Sequence, residues 1–87
     1  MKDLGKRLKI FMEEFNLSQA ALSKKTGTAQ SSLSEYLKGK VTPKAKFFSN
    51  LAENYPISLR WLIAGKGEML IDLRKDLGDY EEQEKKI

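Results

Sequence analysis

Residues that interrupt helices recur at short intervals along this chain, at Asn16, Gly27, Gly39, Pro56 and Gly65-Lys66-Gly67. Each favours a left-handed or otherwise non-helical backbone, so a helix between two of them is limited to about three or four turns. No segment shows the period-two alternation of a strand, which leaves an all-α fold of short helices. A short helix is marginal alone in water and is held by the face it buries, so the apolar positions of every segment must meet. A chain of 87 residues has room for one such core.

Leu4, Leu8, Phe11 and Phe15 are spaced by four, three and four, which is one face of a first helix stopped at Asn16. Ser18 is placed to cap a second helix from Gln19, with Leu17 and Leu22 as the hydrophobic staple around the cap and Gly27 as the terminator. A third helix opens at Thr28 or Ala29, runs through Gln30-Ser31-Ser32-Leu33-Ser34-Glu35-Tyr36-Leu37-Lys38 and ends at Gly39. Thr42-Pro43 reads as a cap followed by proline at the first helical position. The fourth helix launched there has Phe47, Phe48, Leu51, Ala52 and Tyr55 as its apolar face and stops before Pro56. Ile57-Ser58-Leu59-Arg60-Trp61-Leu62 repeats the staple and cap, giving a fifth helix to Ile63 or Ala64. From Asp72 the composition changes: Leu73, Leu77 and Tyr80 keep helical spacing, but Gly78 interrupts them and the last residues are nearly all polar. That segment reads as a charged tail or a marginal sixth helix dependent on a partner.

The chain has no Cys and no His. Disulfides, Cys/His metal sites, thiol nucleophiles and imidazole acid–base catalysis are therefore excluded, and neither an enzyme nor a cofactor is expected. No apolar run approaches the roughly 20 residues that span a bilayer, and the N-terminus lacks the apolar stretch of a secretory signal, so the expected location is the cytoplasm. The net charge of +4 is unevenly divided. Residues 1–71 hold twelve basic and six acidic side chains, whereas 72–87 hold four and six. Between Ser18 and Lys46 there are six lysines and a single acid, Glu35.

The third helix is unusual in composition. Leu33, with Tyr36 or Leu37, supplies a narrow apolar stripe, while Gln30, Ser31, Ser32, Ser34 and Glu35 have only middling helix propensity. Helix 2, the Gly27 turn and helix 3 together have the size of a helix-turn-helix unit, about 18–38, whose second helix fits the major groove of B-DNA. A glutamine amide there can pair bidentately with adenine N6 and N7, which makes Gln30 the best single candidate reader.

From Leu4 to Met69 the sequence also resembles the phage-repressor class of helix-turn-helix domains, the Xre/Cro/CI type. The resemblance rests on Leu17-Ser18-Gln19, Leu22, Gly27, Leu33, Tyr36, Gly39-Lys40 and Pro43, and on Ile57 to Met69, which is similar to the ending of CI-type repressors. It implies a compact five-helix, lambda-repressor-like DNA-binding domain over residues 1–70, a recognition helix at about 29–38 and a charged tail over 71–87. It also implies base reading by Gln30, Ser31 and Glu35, with Ser34 beside them, and phosphate contacts from Ser18, Gln19, Ser32, Lys38, Lys40, Lys44 and Lys46.

Three departures from the family pattern stand out. Ala29 occupies a position where relatives carry a capping Ser or Thr, so a start at Thr28 would move the reading positions by one. Leu37 replaces a usual Glu, and Glu35 puts an acid on a face turned to DNA. The expected function is a sequence-specific transcriptional regulator of phage or prophage repressor type. It would bind double-stranded DNA as a homodimer on a two-fold operator, with no membrane and no small-molecule substrate involved. The alternative is a protein-interaction module or antitoxin-like regulator of the same fold, with the tail holding a protein partner.

Overall fold

The computed structural model describes residues 3–71, so the expected sixth helix around Leu73, Leu77 and Tyr80 lies outside the described residues. Five helices form within them: α1 (Leu4–Glu14), α2 (Gln19–Thr26), α3 (Gln30–Lys38), α4 (Ala45–Asn54) and α5 (Leu59–Ala64). None is long and apolar enough to cross a membrane. The only β pairing among the described residues is one isolated antiparallel bridge, Ile57 with Leu70. Its flanking bonds, Ser58 N–H to Met69 O (2.8 Å) and Ile71 N–H to Pro56 O (2.8 Å), fold the chain after α5 back against the segment before it.

Most helix ends lie where local chemistry places them. Ser18 and Ser58 accept from the Ala21 and Trp61 amides, as N-cap hydroxyls do. Gly27, Gly39 and Gly65 end α2, α3 and α5 in the left-handed region, and Asn16 enters it with φ 53° just after α1. The start of α4 is a correction. Thr42 does not cap it and Pro43 is not its first residue; the chain stays extended through Lys44 (φ −90°, ψ 169°), and the helix begins at Ala45. The φ that proline imposes suits an extended segment as well as a first helical turn. Here Pro43 is itself buried, so packing takes the extended choice.

All five helices feed one core. Leu8, Phe11, Leu22, Leu33, Leu51, Ile57 and Leu62 are fully buried in it, with Phe47 and Phe48 close behind. Ala52, expected on the buried face of α4, is exposed, one step past the stripe of Phe47, Phe48 and Leu51. Tyr55 meets the core edge-on instead, its ring centroid 5.3 Å from that of Phe11. Trp61 and Leu37 are partly buried against the same cluster, so the departure at Leu37 serves packing.

Two residues of α1 join distant parts of the chain. Gly5 is buried where α1 crosses the end of α3: a β-carbon there would stand 2.6 Å from the Leu37 carbonyl oxygen and 2.8 Å from that of Tyr36. Arg7 reaches the other way. Its Nε donates to Leu62 O at 2.7 Å and its Nη2 to Ile63 O at 3.1 Å, so a guanidinium satisfies the last carbonyls of α5. Hydrogen bonds from a charged donor are worth roughly 1.5–3 kcal/mol, so Arg7→Ala is expected to lower stability by about 2 kcal/mol. Urea denaturation checks this as a lower midpoint at unchanged slope.

Candidate nucleic-acid interface

α2 and α3 are joined by three residues, Gly27 in the left-handed region followed by Thr28 and an extended Ala29. A residue with a β-carbon would be strained at Gly27 (φ 64°), although nothing crowds the space around it. The turn is closed from both sides. Ser23 Oγ donates to Thr28 O, while Asn50 Nδ2 of α4 donates to Thr26 O at 2.9 Å. One turn along α4, Asn54 Nδ2 donates to Lys25 O at 3.2 Å. The buried Thr26 hydroxyl donates back to Leu22 O at 2.8 Å. These bonds take up the terminal carbonyls of α2, so α4 holds the angle at which α3 leaves the turn.

α3 begins at Gln30, with Ala29 in the cap position and no side chain capping it. The alternative start at Thr28 does not occur: Ala29 is extended (φ −60°, ψ 143°) and its carbonyl accepts the first helical bond, from Leu33 N–H at 3.0 Å. Leu33 alone is fully buried on α3. Ser31, Glu35 and Lys38, spaced by four and three, therefore fall on the side of the helix away from the core. Gln30 and Ser31 are exposed at the N-terminal end and Lys38 at the C-terminal end, while Glu35 is half-buried between them.

The remaining candidates divide between the two flanks of α3. Ser34 and Lys38 border a groove shared with Gln19, at the start of α2, and with Lys9 of α1. Ser32 lies on the opposite flank, in a cleft of about 290 Å³ that it shares with Thr28, Lys44, Lys46 and Asn50. Gln19 and Lys38 are thus brought together on one side, and Ser32, Lys44 and Lys46 on the other. Lys40 lines neither; it is exposed just past α3, its main-chain N–H donating to Glu35 O at 3.0 Å. Ser18 is exposed but its oxygen is engaged in the cap of α2. Among the described residues no group of three or more His, Cys, Asp or Glu is placed to hold a metal ion.

An exposed polar helix, entered through a fixed turn and flanked by lysines on both sides, is matched by the comparison with known families. A family model described as a helix-turn-helix domain covers residues 5–68. The chain belongs to the helix-turn-helix domain family. No curated protein and no solved structure gives a significant match.

Within the helix-turn-helix unit, sequence reasoning passed over the residues that aim the helix: Gly5 behind α3, and Asn50 and Asn54 behind α2. The asparagine pair carried a signal, since two amides four residues apart, beside the apolar stripe of α4, fall on one helical face. Gly5 carried none, because its reason lies more than thirty residues away at Tyr36 and Leu37.

Proposed function

We propose that this helix-turn-helix domain is a sequence-specific, DNA-binding transcriptional regulator of phage-repressor type, which inserts α3 into the major groove. The observation that carries the reading is the exposure of Gln30 and Ser31 at the start of α3, on a helix whose exit from the turn is fixed by bonds from α2 and α4. Side chains at the N-terminal end of such a helix reach base edges, and glutamine offers the donor–acceptor pair that adenine complements. In this reading residues 1–70 are the DNA-binding domain and 71–87 a charged appendage. Ser31, Ser34 and Glu35 extend the reading face, with Glu35 accepting from a cytosine N4.

Phosphate contacts fall to both flanks. Gln19 and Lys38 would follow one strand, and Ser32, Lys44 and Lys46 the other side of the groove, with Lys40 and the exposed hydroxyl of Ser18 adding to them. Two copies on a two-fold operator would set half-sites about 34 Å apart, one turn of the duplex.

Selection of bound sites from random duplex DNA at physiological salt tests the reading. A two-fold symmetric consensus is expected; no enrichment would overturn it and leave a protein-interaction module of the same fold. On the selected site, Gln30→Ala is expected to cost about 1–3 kcal/mol at one base pair of each half-site and little elsewhere. A uniform loss on all sequences would instead place Gln30 on the backbone.

A further inference from the structure

The residue ahead of Gln30 is at odds with its place in the helix. Ala29 holds the N-cap of α3 in extended backbone and offers no side-chain acceptor to the first-turn amides. Ser18 and Ser58 supply that acceptor for α2 and α5. Alanine is among the poorest residues at an N-cap, where serine and aspartate lead and even glycine serves better. Core packing does not account for the choice either, because Ala29 is exposed and stands outside the buried cluster. A side chain that breaks a local rule without gaining burial marks a place where function sets the residue.

What alanine puts at this place is a bare methyl group. It stands directly before the exposed Gln30 and Ser31, at the end of α3 that would enter the groove. Ala29 also borders the cleft that holds Ser32, Lys44 and Lys46. It therefore lies between the reading residues and the lysines assigned to phosphate. In the major groove one base offers an apolar partner: thymine, whose 5-methyl is the outermost group of its edge, toward its own strand's backbone. A methyl at the lysine-flanked margin of α3 is matched to that group in both chemistry and position. A serine here would present a hydroxyl, which pairs with several bases and selects among them weakly.

We propose that Ala29 is a specificity-determining residue, whose methyl group packs on the 5-methyl of a thymine in the base pair next to the adenine read by Gln30. The inference rests on the function proposed above and adds a contact to it. Amide pairing selects adenine at one position and the methyl contact selects thymine beside it, so the two residues together read a two-base step. The weak cap of α3 is the cost of that contact in helix stability.

Replacing thymine by deoxyuridine deletes the 5-methyl and leaves every hydrogen-bonding group of the base, so it probes this contact alone. Gln30→Ala first locates the pair that Gln30 reads on the selected duplex. Fluorescence anisotropy with deoxyuridine at the neighbouring thymine of one half-site is expected to show a roughly fourfold loss for the parent chain, equivalent to about 0.8 kcal/mol for one methyl-sized group. The parent carries this half of the test, so no folding defect can mimic the loss. Ala29→Gly is expected to bind the two duplexes equally and to lose about fourfold per half-site on the thymine duplex, while melting no lower than the parent. No thymine beside the pair that Gln30 reads, equal affinity of the parent for both duplexes, or the same deoxyuridine loss in the parent and in Ala29→Gly each overturns the role of Ala29. A chain that enriches no duplex at all overturns the proposed function itself, a result distinct from these three.

Discussion

Raising salt from about 50 to 200 mM should weaken operator binding by roughly three to five orders of magnitude if the protein binds as a two-fold dimer. Each copy offers Lys38, Lys40, Lys44 and Lys46, all exposed and all close to α3 in sequence. Two copies present eight such lysines. Each neutralised phosphate contributes about 0.9 to the slope of log affinity against log salt, so the dimer should give a slope near −7 and a lone domain about −3.6. The slope therefore reports oligomeric state as well as charge. Fluorescence anisotropy with the selected duplex at four or more salt concentrations checks it. Lys44→Gln, which removes one lysine per copy, is expected to lower the slope by about 2 in a dimer and about 1 in a monomer. A slope unmoved by that change would remove Lys44 from the phosphate contacts.

Gly5→Val is expected to cost at least about 3 kcal/mol, the upper part of the range for overpacked cores. The new β-carbon would meet two main-chain oxygens at 2.6 and 2.8 Å, and neither can swing aside as a flexible side chain would. Valine recovers only a few tenths of a kcal/mol in helix propensity over glycine, so the clash decides the sign. In a domain of this size a loss of about 3 kcal/mol lowers the melting temperature by roughly 12–24 °C. Gly67→Ala is the informative control. Its φ of +80° opposes a side chain but nothing lies near the added carbon, and only about 1–2 kcal/mol is expected from the left-handed backbone. Thermal melts of the two variants separate crowding from backbone strain. A Gly5→Val chain melting within about 5 °C of the parent would show that α1 and α3 do not cross so closely.

The contrast between these glycines explains what the sequence could and could not convey. Gly27, Gly39 and Gly65 act on their own backbone, and Ser18 and Ser58 on amides three residues ahead, so these helix ends were legible from a few neighbouring letters. The exposure of Ser31 was legible for a similar reason, since it stands two residues from the buried Leu33 and so on the other side of the helix, while Gln30 is exposed as the first residue of α3. Thr42-Pro43 failed as a start signal because proline suits two backbone states, and the burial of Pro43 chose between them. Gly5 and Arg7 were opaque: each answers to a partner more than thirty residues away, and local spacing carries no trace of such a partner. The division of the lysines between the two sides of α3 was hidden likewise, because it depends on how α1 and α4 flank that helix.

The mounting of α3 bears on how such a protein diversifies. Its rear is held by Leu33 and by two main-chain carbonyls pressed against Gly5, and carbonyls are the same whatever side chains they carry. Exposed positions such as Gln30 and Ser31 contribute almost nothing to that attachment. They are free to drift or be redesigned, and surface changes of this kind usually move stability by no more than about 0.5 kcal/mol. A population of descendants could therefore acquire new target sequences while keeping one scaffold, with the mutational load of specificity separated from the mutational load of folding.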